Sequence, residues 1–324
     1  MVISRTPFRM SFFGGGTDFK DYYEKYGGSV ISATFDKYCF VTVREYPPYF
    51  EHKNQLTYSR IERFDEPSQV SHPLVRETMK YLGENRLQIN YDSDLPARSG
   101  IGSSSSFAVG LLNSIHTLRG KRSNAYSLAK EAILIEREKC MECGGIQDQI
   151  SVAYGGFNRI DFDGRDFYVK PINVSAERLD ELNGKLMLFF SGTSRISADI
   201  STEQASNLEK NLKTLSNMKF LTDEAEKILL SSSSLDSFGE LLDETWQLKR
   251  KLASNISNSD IEKIYDTAKV NGALGGKLLG AGGGGFLLLY APESAQPKIR
   301  SALDKYMFVP FGFEHEGSKI IYKQ

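Results

Sequence analysis

Residues 96–112 read "PARSGIGSSSSFAVGLL", in which small turn-formers and four consecutive serines run straight into an apolar stretch. From there Phe107, Leu111, Ile115 and Leu118 keep helical spacing, and Gly120 marks its end. The spacing predicts a helix whose opening turn is made of serines and is entered through a glycine bend at Gly100 and Gly102. Glycine lets the backbone turn and approach a ligand closely, and the first N–H groups of a helix lack internal partners. Peptide dipoles add partial positive charge at the same place, so such a bend binds anions, with serine hydroxyls as further hydrogen-bond or metal ligands. Serines and glycines also make ordinary helix caps, and the choice between the two uses rests on the rest of the chain.

The chain has 324 residues, 40% of them hydrophobic, and 40 basic against 41 acidic side chains give a net charge of -1. This is the composition of a globular protein without the basic field that nucleic acid or an anionic membrane would need. Its length exceeds the roughly 250–300 residues at which single cores stop growing, so two domains are expected. The longest apolar stretch, "FLLLYA" from Phe286, is strand-sized, the start "MVISRTPFRM" lacks a secretory apolar region, and three cysteines cannot form a disulfide framework. A cytoplasmic location is the expectation. Cys140 and Cys143 form "CMEC", but a zinc site would need two more ligands from Cys39 and the scattered His52, His72, His116 and His315. Incidental cysteines beside a helix end are expected instead.

Elsewhere, "SVISATFDKYCFVTVREY" from Ser29 predicts two strands with a bend near Asp36. A helix is expected from about Ser123 to Cys140, capped by Ser123 or Asn124. Strands follow at "FNRIDF" and "KLMLFF". A long helix from Ser197 to about Ser231, with Leu208, Leu212, Leu215 and Met218 at core spacing, pairs with "SFGELLDETWQLKRKLA" through a turn at Ser231–Ser234. A second glycine cluster, "GALGGKLLGAGGGG", runs into the strand "FLLLYAP". It is not a P-loop, because Gly276-Lys277 is followed by Leu278. Gly280, Gly282 and Gly285 satisfy GxGxxG, yet they lead into a strand where the dinucleotide motif needs a helix.

Three segments taken together, "PFRMSFFGGGTD", "PARSGIGSSSS" and "KLLGAGGGG", resemble in order and spacing the signature motifs of the GHMP small-molecule kinases. Within that superfamily, "RTPFRMSFFGGGTDF" and "GGIQDQISVAYGGFN" look like the D-glycero-D-manno-heptose 7-phosphate kinases, which phosphorylate the sugar at its anomeric oxygen in nucleotide-activated heptose synthesis. The resemblance implies an α+β fold of two domains. Residues 1–175 would form an ATP- and sugar-binding domain like ribosomal protein S5 domain 2, and residues 176–324 a ferredoxin-like domain. ATP and a sugar phosphate would meet between them, with Mg²⁺ as the cation, and a homodimer is compatible with it.

Carried over by position, Gly100, Gly102, Ser103, Ser104 and Ser105 would surround the ATP phosphates, with the Ser104 hydroxyl on Mg²⁺. The family often has glycine where this chain has Arg98, so the loop entrance would differ or Arg98 would itself touch phosphate. Asp148 in "GGIQDQ" matches the aspartate set beside the acceptor hydroxyl, with Gly144 and Gly145 keeping the approach open. Arg9 matches the basic position of the first motif and would hold Asp148 ionised. Glu136 is the candidate second Mg²⁺ ligand, with Glu138 on the same helix as the alternative. Asp18 matches the aspartate that contacts acceptor hydroxyls, and it or Thr17 could instead cap the helix "FKDYYEKYG". Gly15, Gly16 and Thr17 join it as substrate-binding candidates, as do Gly282 and Gly283 in the third motif. Galactokinase-like relatives carry glutamate and histidine where Gly15 and Gly16 stand, so this chain has room for a longer, phosphorylated acceptor, with Arg5 and Lys20 as nearby cations. The competing readings are a fucose-type anomeric sugar kinase, a non-catalytic sugar sensor and a nucleotide-binding oxidoreductase.

Overall fold

The structure is a computed structural model and describes residues 1–192 and 198–324. Its first sheet is built on two long strands, β1 (Val2–Phe13) and β2 (Gly28–Glu45), paired antiparallel along nearly their whole length. Where two strands and a bend were expected from Ser29 onward, β2 is one 18-residue strand with a bulge. Pro7 pairs with Tyr38 but Phe8 with Phe35, so Asp36 and Lys37 are extra residues on β2. Pro7 has no N–H to give to the ladder, and the pairing is interrupted beside it.

The length of β2 lets the edge away from β1 serve several partners in turn. Residues 39–45 pair with β5 (Leu87–Ser93), and residues 28–33 pair with β6 (Phe157–Phe162). Beyond β5 lie β3 (Asn54–Thr57) and β4 (Ile61–Phe64), and beyond β6 lies β7 (Phe167–Pro171). The helices of this part are α1 (Lys20–Tyr26), α2 (Pro73–Leu82), α3 (Ser103–Leu118), α4 (Ala125–Ile133) and α5 (Gln147–Tyr154). α3 lies against β1 and β2 and is buried on nearly all sides, as its almost uniformly small or apolar sequence allows. The helix expected over Ser123–Cys140 begins in a capping box, Asn124 with Ser127, and changes to a π-helical turn over Leu134–Lys139.

The second sheet is antiparallel, in the order β11 (Met307–Phe308), β8 (Leu186–Phe190), β10 (Phe286–Tyr290), β9 (Gly275–Leu278). It carries α6 (Ala176–Gly184), α7 (Ala198–Ser206), α8 (Leu208–Leu230), α9 (Asp236–Lys249), α10 (Ser259–Val270) and α11 (Gln296–Ala302). The single long helix expected from Ser197 is two, α7 and α8, divided at Asn207, and Ser197 itself lies outside the described residues. Phe12 and Phe13 of β1 meet Phe238 of α9 edge-on, which joins the apolar interiors of the two parts. The chain then returns: β12 (Phe313–Glu314) pairs with β2 and β13 (Lys319–Lys323) with β1. A division at residue 175 therefore leaves two strands of the first sheet on its far side.

Candidate active site

The two glycine clusters touch. Gly100 has φ 81°, and a Cβ there would lie 2.4 Å from the Leu279 carbonyl oxygen; a Cβ on Gly280 would lie 2.5 Å from Gly100 Cα. Phe286 N donates to Ser99 O at 3.1 Å just beyond the turn. No side chain fits between backbones this close, so glycine is required on both sides. α3 starts behind this contact, with Gly102 as its N-cap in left-handed conformation and no side-chain cap. The first intrahelical bond is from Ser106 N to Gly102 O, which leaves the N–H groups of Ser103, Ser104 and Ser105 without helical partners. Those serines do not cap: Ser103 Oγ accepts from Arg98 N, and Ser104 and Ser105 donate to Glu136. Arg98 has φ 59°, a left-handed conformation that is uncommon for a residue other than glycine.

A cleft of about 770 Å³ opens at this contact, within the range of small-molecule sites. Arg9, on β1, is the hinge of its floor. Its Nε and Nη2 donate to the two Asp148 carboxylate oxygens at 2.7 and 2.5 Å, and its Nη1 donates to Gly100 O at 2.6 Å. One guanidinium thus ties the first strand, the glycine bend and the first turn of α5 in a bidentate, charge-assisted arrangement that only arginine provides.

Glu136 is 1% exposed, on the π-helical turn. It accepts from Ser104 Oγ at 2.7 Å, Ser105 Oγ at 2.8 Å and Gln149 Nε2 at 2.5 Å, and among the described residues it has no cationic partner. A buried carboxylate ringed by hydroxyls and lacking a counter-charge suits a hard divalent cation that takes oxygen ligands, so the residues fit Mg²⁺. Glu138 is exposed and does not line the cleft.

On the other wall, Asp18 is buried and accepts from Gly16 N at 2.9 Å and Gln147 N at 3.1 Å. It does not cap α1, whose N-cap is Phe19. Burial pushes its carboxyl above the ordinary value, against the two N–H bonds, and the neighbouring Asp148 adds to the rise. Gly145 packs directly on it: a Cβ there would lie 1.9 Å from Asp18 Oδ2. Gly15, Gly16, Gly144 and Gly282 also line the cleft. Two expected residues do not. Thr17 is buried with its hydroxyl bonded to Gly14 O and Ser29 O, so it fixes the turn. Gly283 bonds through its N–H to Ile256 O, and Gly284 lines the cleft in its place. Arg5 is paired with Glu314 and Glu316, and Lys20 with Glu24; neither lines the cleft.

Two buried lysines complete the floor. Lys249, at the end of α9 and 6% exposed, donates from Nζ to Leu278 O at 2.9 Å and Gly280 O at 2.5 Å. Lys277, on β9 and 2% exposed, donates to Phe12 O at 2.8 Å. Burial, then the Arg9 charge, lowers Lys249 to about 7, with Asp148 and Asp18 opposing; burial, then Lys249 and Arg9, holds Lys277 well below its ordinary value. Among the described residues neither forms an ion pair.

The family model for the GHMP kinase N-terminal domain matches residues 72–156, and that for the GHMP kinase C-terminal domain matches residues 225–308. Between them they cover more than half of the chain. The chain belongs to the GHMP kinase family. It is 29% identical to the D-glycero-alpha-D-manno-heptose 7-phosphate kinase of Campylobacter jejuni over 98% of each chain. Its fold is similar to that of a D-glycero-D-manno-heptose 1-phosphate kinase from Bacteroides thetaiotaomicron, with TM-score 0.80, 22% identity and full coverage of both chains. It is also similar to Lactococcus lactis galactokinase complexed with galactose, with TM-score 0.76 and 16% identity over 98% of this chain and 94% of the other.

As a GHMP kinase the chain is a phosphotransferase, and the oxidoreductase reading falls: the glycine cluster that contains Gly280, Gly282 and Gly285 turns into β10, not into a helix. Cys140 and Cys143 are free thiols beside the π-helical turn, and among the described residues no three His, Cys, Asp or Glu side chains gather as a metal group. Among the described residues no helix is long and apolar enough to cross a membrane. Besides the lysines, sequence reasoning missed Ser11 and Gln147. Both line the cleft near Gly15, and among the described residues Ser11 Oγ and Gln147 Oε1 are buried without a partner. Such atoms suit ligand hydroxyls.

Proposed function

We propose that this GHMP kinase transfers the γ-phosphoryl group of ATP to the anomeric C1 hydroxyl of D-glycero-D-manno-heptose 7-phosphate, giving the 1,7-bisphosphate. The reading of the chemistry is carried by the Arg9 guanidinium, which binds Asp148 on one side and the phosphate-type glycine bend on the other. The reading of the acceptor is carried by likeness over 98% of both chains to a kinase named for that sugar phosphate.

In this assignment the triphosphate lies at the N-terminus of α3, against the free N–H groups of Ser103, Ser104 and Ser105. Asp148 accepts the proton of the C1 hydroxyl as the bond from that oxygen to the γ-phosphorus forms and the bond to the β-phosphate oxygen breaks. Arg9 fixes the orientation of Asp148 through its two hydrogen bonds and offsets charge on the moving group. Asp18, with Gln147 and Ser11, receives sugar hydroxyls, and Gly15, whose missing side chain faces Gln147 and Ser11, leaves room for the long acceptor tail, whereas Gly16 is glycine because its backbone is left-handed and a side chain would meet Leu215 and Leu252. Glu136 and Ser104 would hold Mg²⁺, which when bound neutralises phosphate charge.

The test is kcat/KM with D-glycero-D-manno-heptose 7-phosphate, the unphosphorylated heptose, mannose and fucose. A charge-assisted contact of the distal phosphate with an arginine that lines the cleft, Arg60 or Arg98, about 1.5–3 kcal/mol, gives a preference of roughly tenfold or more for the phosphorylated heptose. Equal use of the free heptose, or faster turnover of fucose, refutes the acceptor and leaves the phosphotransferase standing.

A further inference from the structure

The cleft holds more positive charge than the assignment above uses. Arg9 and Asp148 are paired with each other, which leaves Lys249 and Lys277 against the single carboxylate of Asp18 on this floor. An ammonium has three N–H donors, and two on Lys249 go to the carbonyls of Leu278 and Gly280. Gly280 belongs to the glycine turn that presses on Gly100, and Leu278 ends the strand that leads into it, so the head of Lys249 is fixed beside the phosphate bend with one donor to spare. A buried cation without a carboxylate partner is costly unless an anion arrives. The charged groups acting on it are Arg9 from β1, Asp148 from α5 and Asp18 from the turn before α1, with Lys277 of β9 alongside. All of them belong to the reacting end of the cleft.

We propose that Lys249 is a second phosphoryl-binding cation, which donates its remaining N–H to the phosphoryl group in transit while its two carbonyl bonds hold the glycine turn in place. Lys277, anchored on the Phe12 carbonyl where the two sheets meet, supports it by position. The proposal rests on the phosphoryl-transfer reading of this cleft but not on the identity of the acceptor.

The experiment therefore omits the acceptor. Calorimetry measures the binding of ADP, and of ADP with beryllium fluoride as a mimic of the transferred group, to wild type, Lys249→Gln and Lys249→Arg in magnesium buffer. Lys249→Gln can keep one carbonyl bond without the charge. It is expected to weaken ADP–beryllium fluoride by about tenfold or more, with ADP alone within about twofold, and Lys249→Arg to recover most of the loss. A purely structural lysine moves both ligands alike or neither, and that result overturns the proposal. A second arm uses wild type only, so it does not depend on a variant folding. An amine that ionises near neutrality must take up a proton to meet the anion, so the advantage of ADP–beryllium fluoride over ADP falls by about tenfold from pH 6 to pH 8. A flat ratio overturns the proposal. Failure of wild type to bind ADP would sink it together with the kinase reading, whereas failure of the heptose panel leaves it untouched.

Discussion

Arg9→Lys keeps the charge at the hinge of the cleft and removes its geometry. The arginine makes three short bonds, at 2.7 and 2.5 Å to Asp148 and 2.6 Å to Gly100 O, from three nitrogens held in one plane. A lysine has one nitrogen, which can reach Asp148 or the Gly100 carbonyl but cannot bracket the carboxylate. Asp148 then keeps a counter-charge and loses its fixed orientation. A charge-assisted hydrogen bond contributes about 1.5–3 kcal/mol. The loss of one such bond from the oriented state corresponds to a fall of roughly 10- to 150-fold in kcat, at about 1.4 kcal/mol per tenfold. Asp148→Asn alone should lower kcat by roughly 10² to 10⁴ as the loss of a positioned proton acceptor. Steady-state kinetics on the two single variants and the double variant then form a cycle. If Arg9 acts through Asp148, Arg9→Lys costs far less in the Asp148→Asn background than in wild type. Additive losses, or an Arg9→Lys enzyme that keeps more than about half of wild-type kcat, would refute the hinge role. ADP affinity should stay within about twofold throughout, which separates positioning from a collapsed site.

Gly145→Ala places a methyl 1.9 Å from Asp18 Oδ2 at a residue whose φ is not in the left-handed region, so its effect passes through the carboxylate and not through backbone strain. The acceptor KM should rise about tenfold, the loss of one hydrogen bond to a charged group, with ADP binding unchanged; an unchanged acceptor KM counts against Asp18 as a sugar ligand. Asp18 also sets a pH dependence. Its folded carboxyl titrates above the unfolded one, so folding takes up a proton between the two values, and that contribution to stability is lost as pH rises through the window. The Tm of Asp18→Asn relative to wild type should therefore improve from pH 4 to pH 7, and a relative decline over that range would show that the carboxyl is not held high.

What the sequence made legible follows from where the chemistry is written. Gly100, Gly280 and Gly282 stand out because backbones approach there and no other residue fits, Gly102 because its backbone is left-handed and lies against the Arg9 side chain, and the serines after Gly102 mark a helix start. Arg9 and Asp148 were legible only through the motifs around them, since neither spacing nor composition joins two residues 139 positions apart. Lys249 was hidden in the basic run "QLKRK", where nothing in composition separates it from Arg250 and Lys251. Helical phase does: Phe238, Leu242, Thr245, Trp246 and Lys249 fall on one buried face of α9, so the lysine is the residue that completes an apolar stripe. A cation in that position has to be satisfied by backbone oxygens or by a ligand, and this one is held by two backbone oxygens and lines the cleft. Glu136 and Glu138 posed the opposite difficulty. The π-helical turn over Leu134–Lys139 changes the phase of the face midway, so extrapolating an α-helix from Asn124 cannot say which glutamate points inward. The same turn buries Ile135 and Glu136 side by side and brings the carboxylate over Ser104 and Ser105. Local irregularity of this kind is costly in a helix and is retained where a side chain must be aimed, so at this helix the break in periodicity is itself the sign of the site.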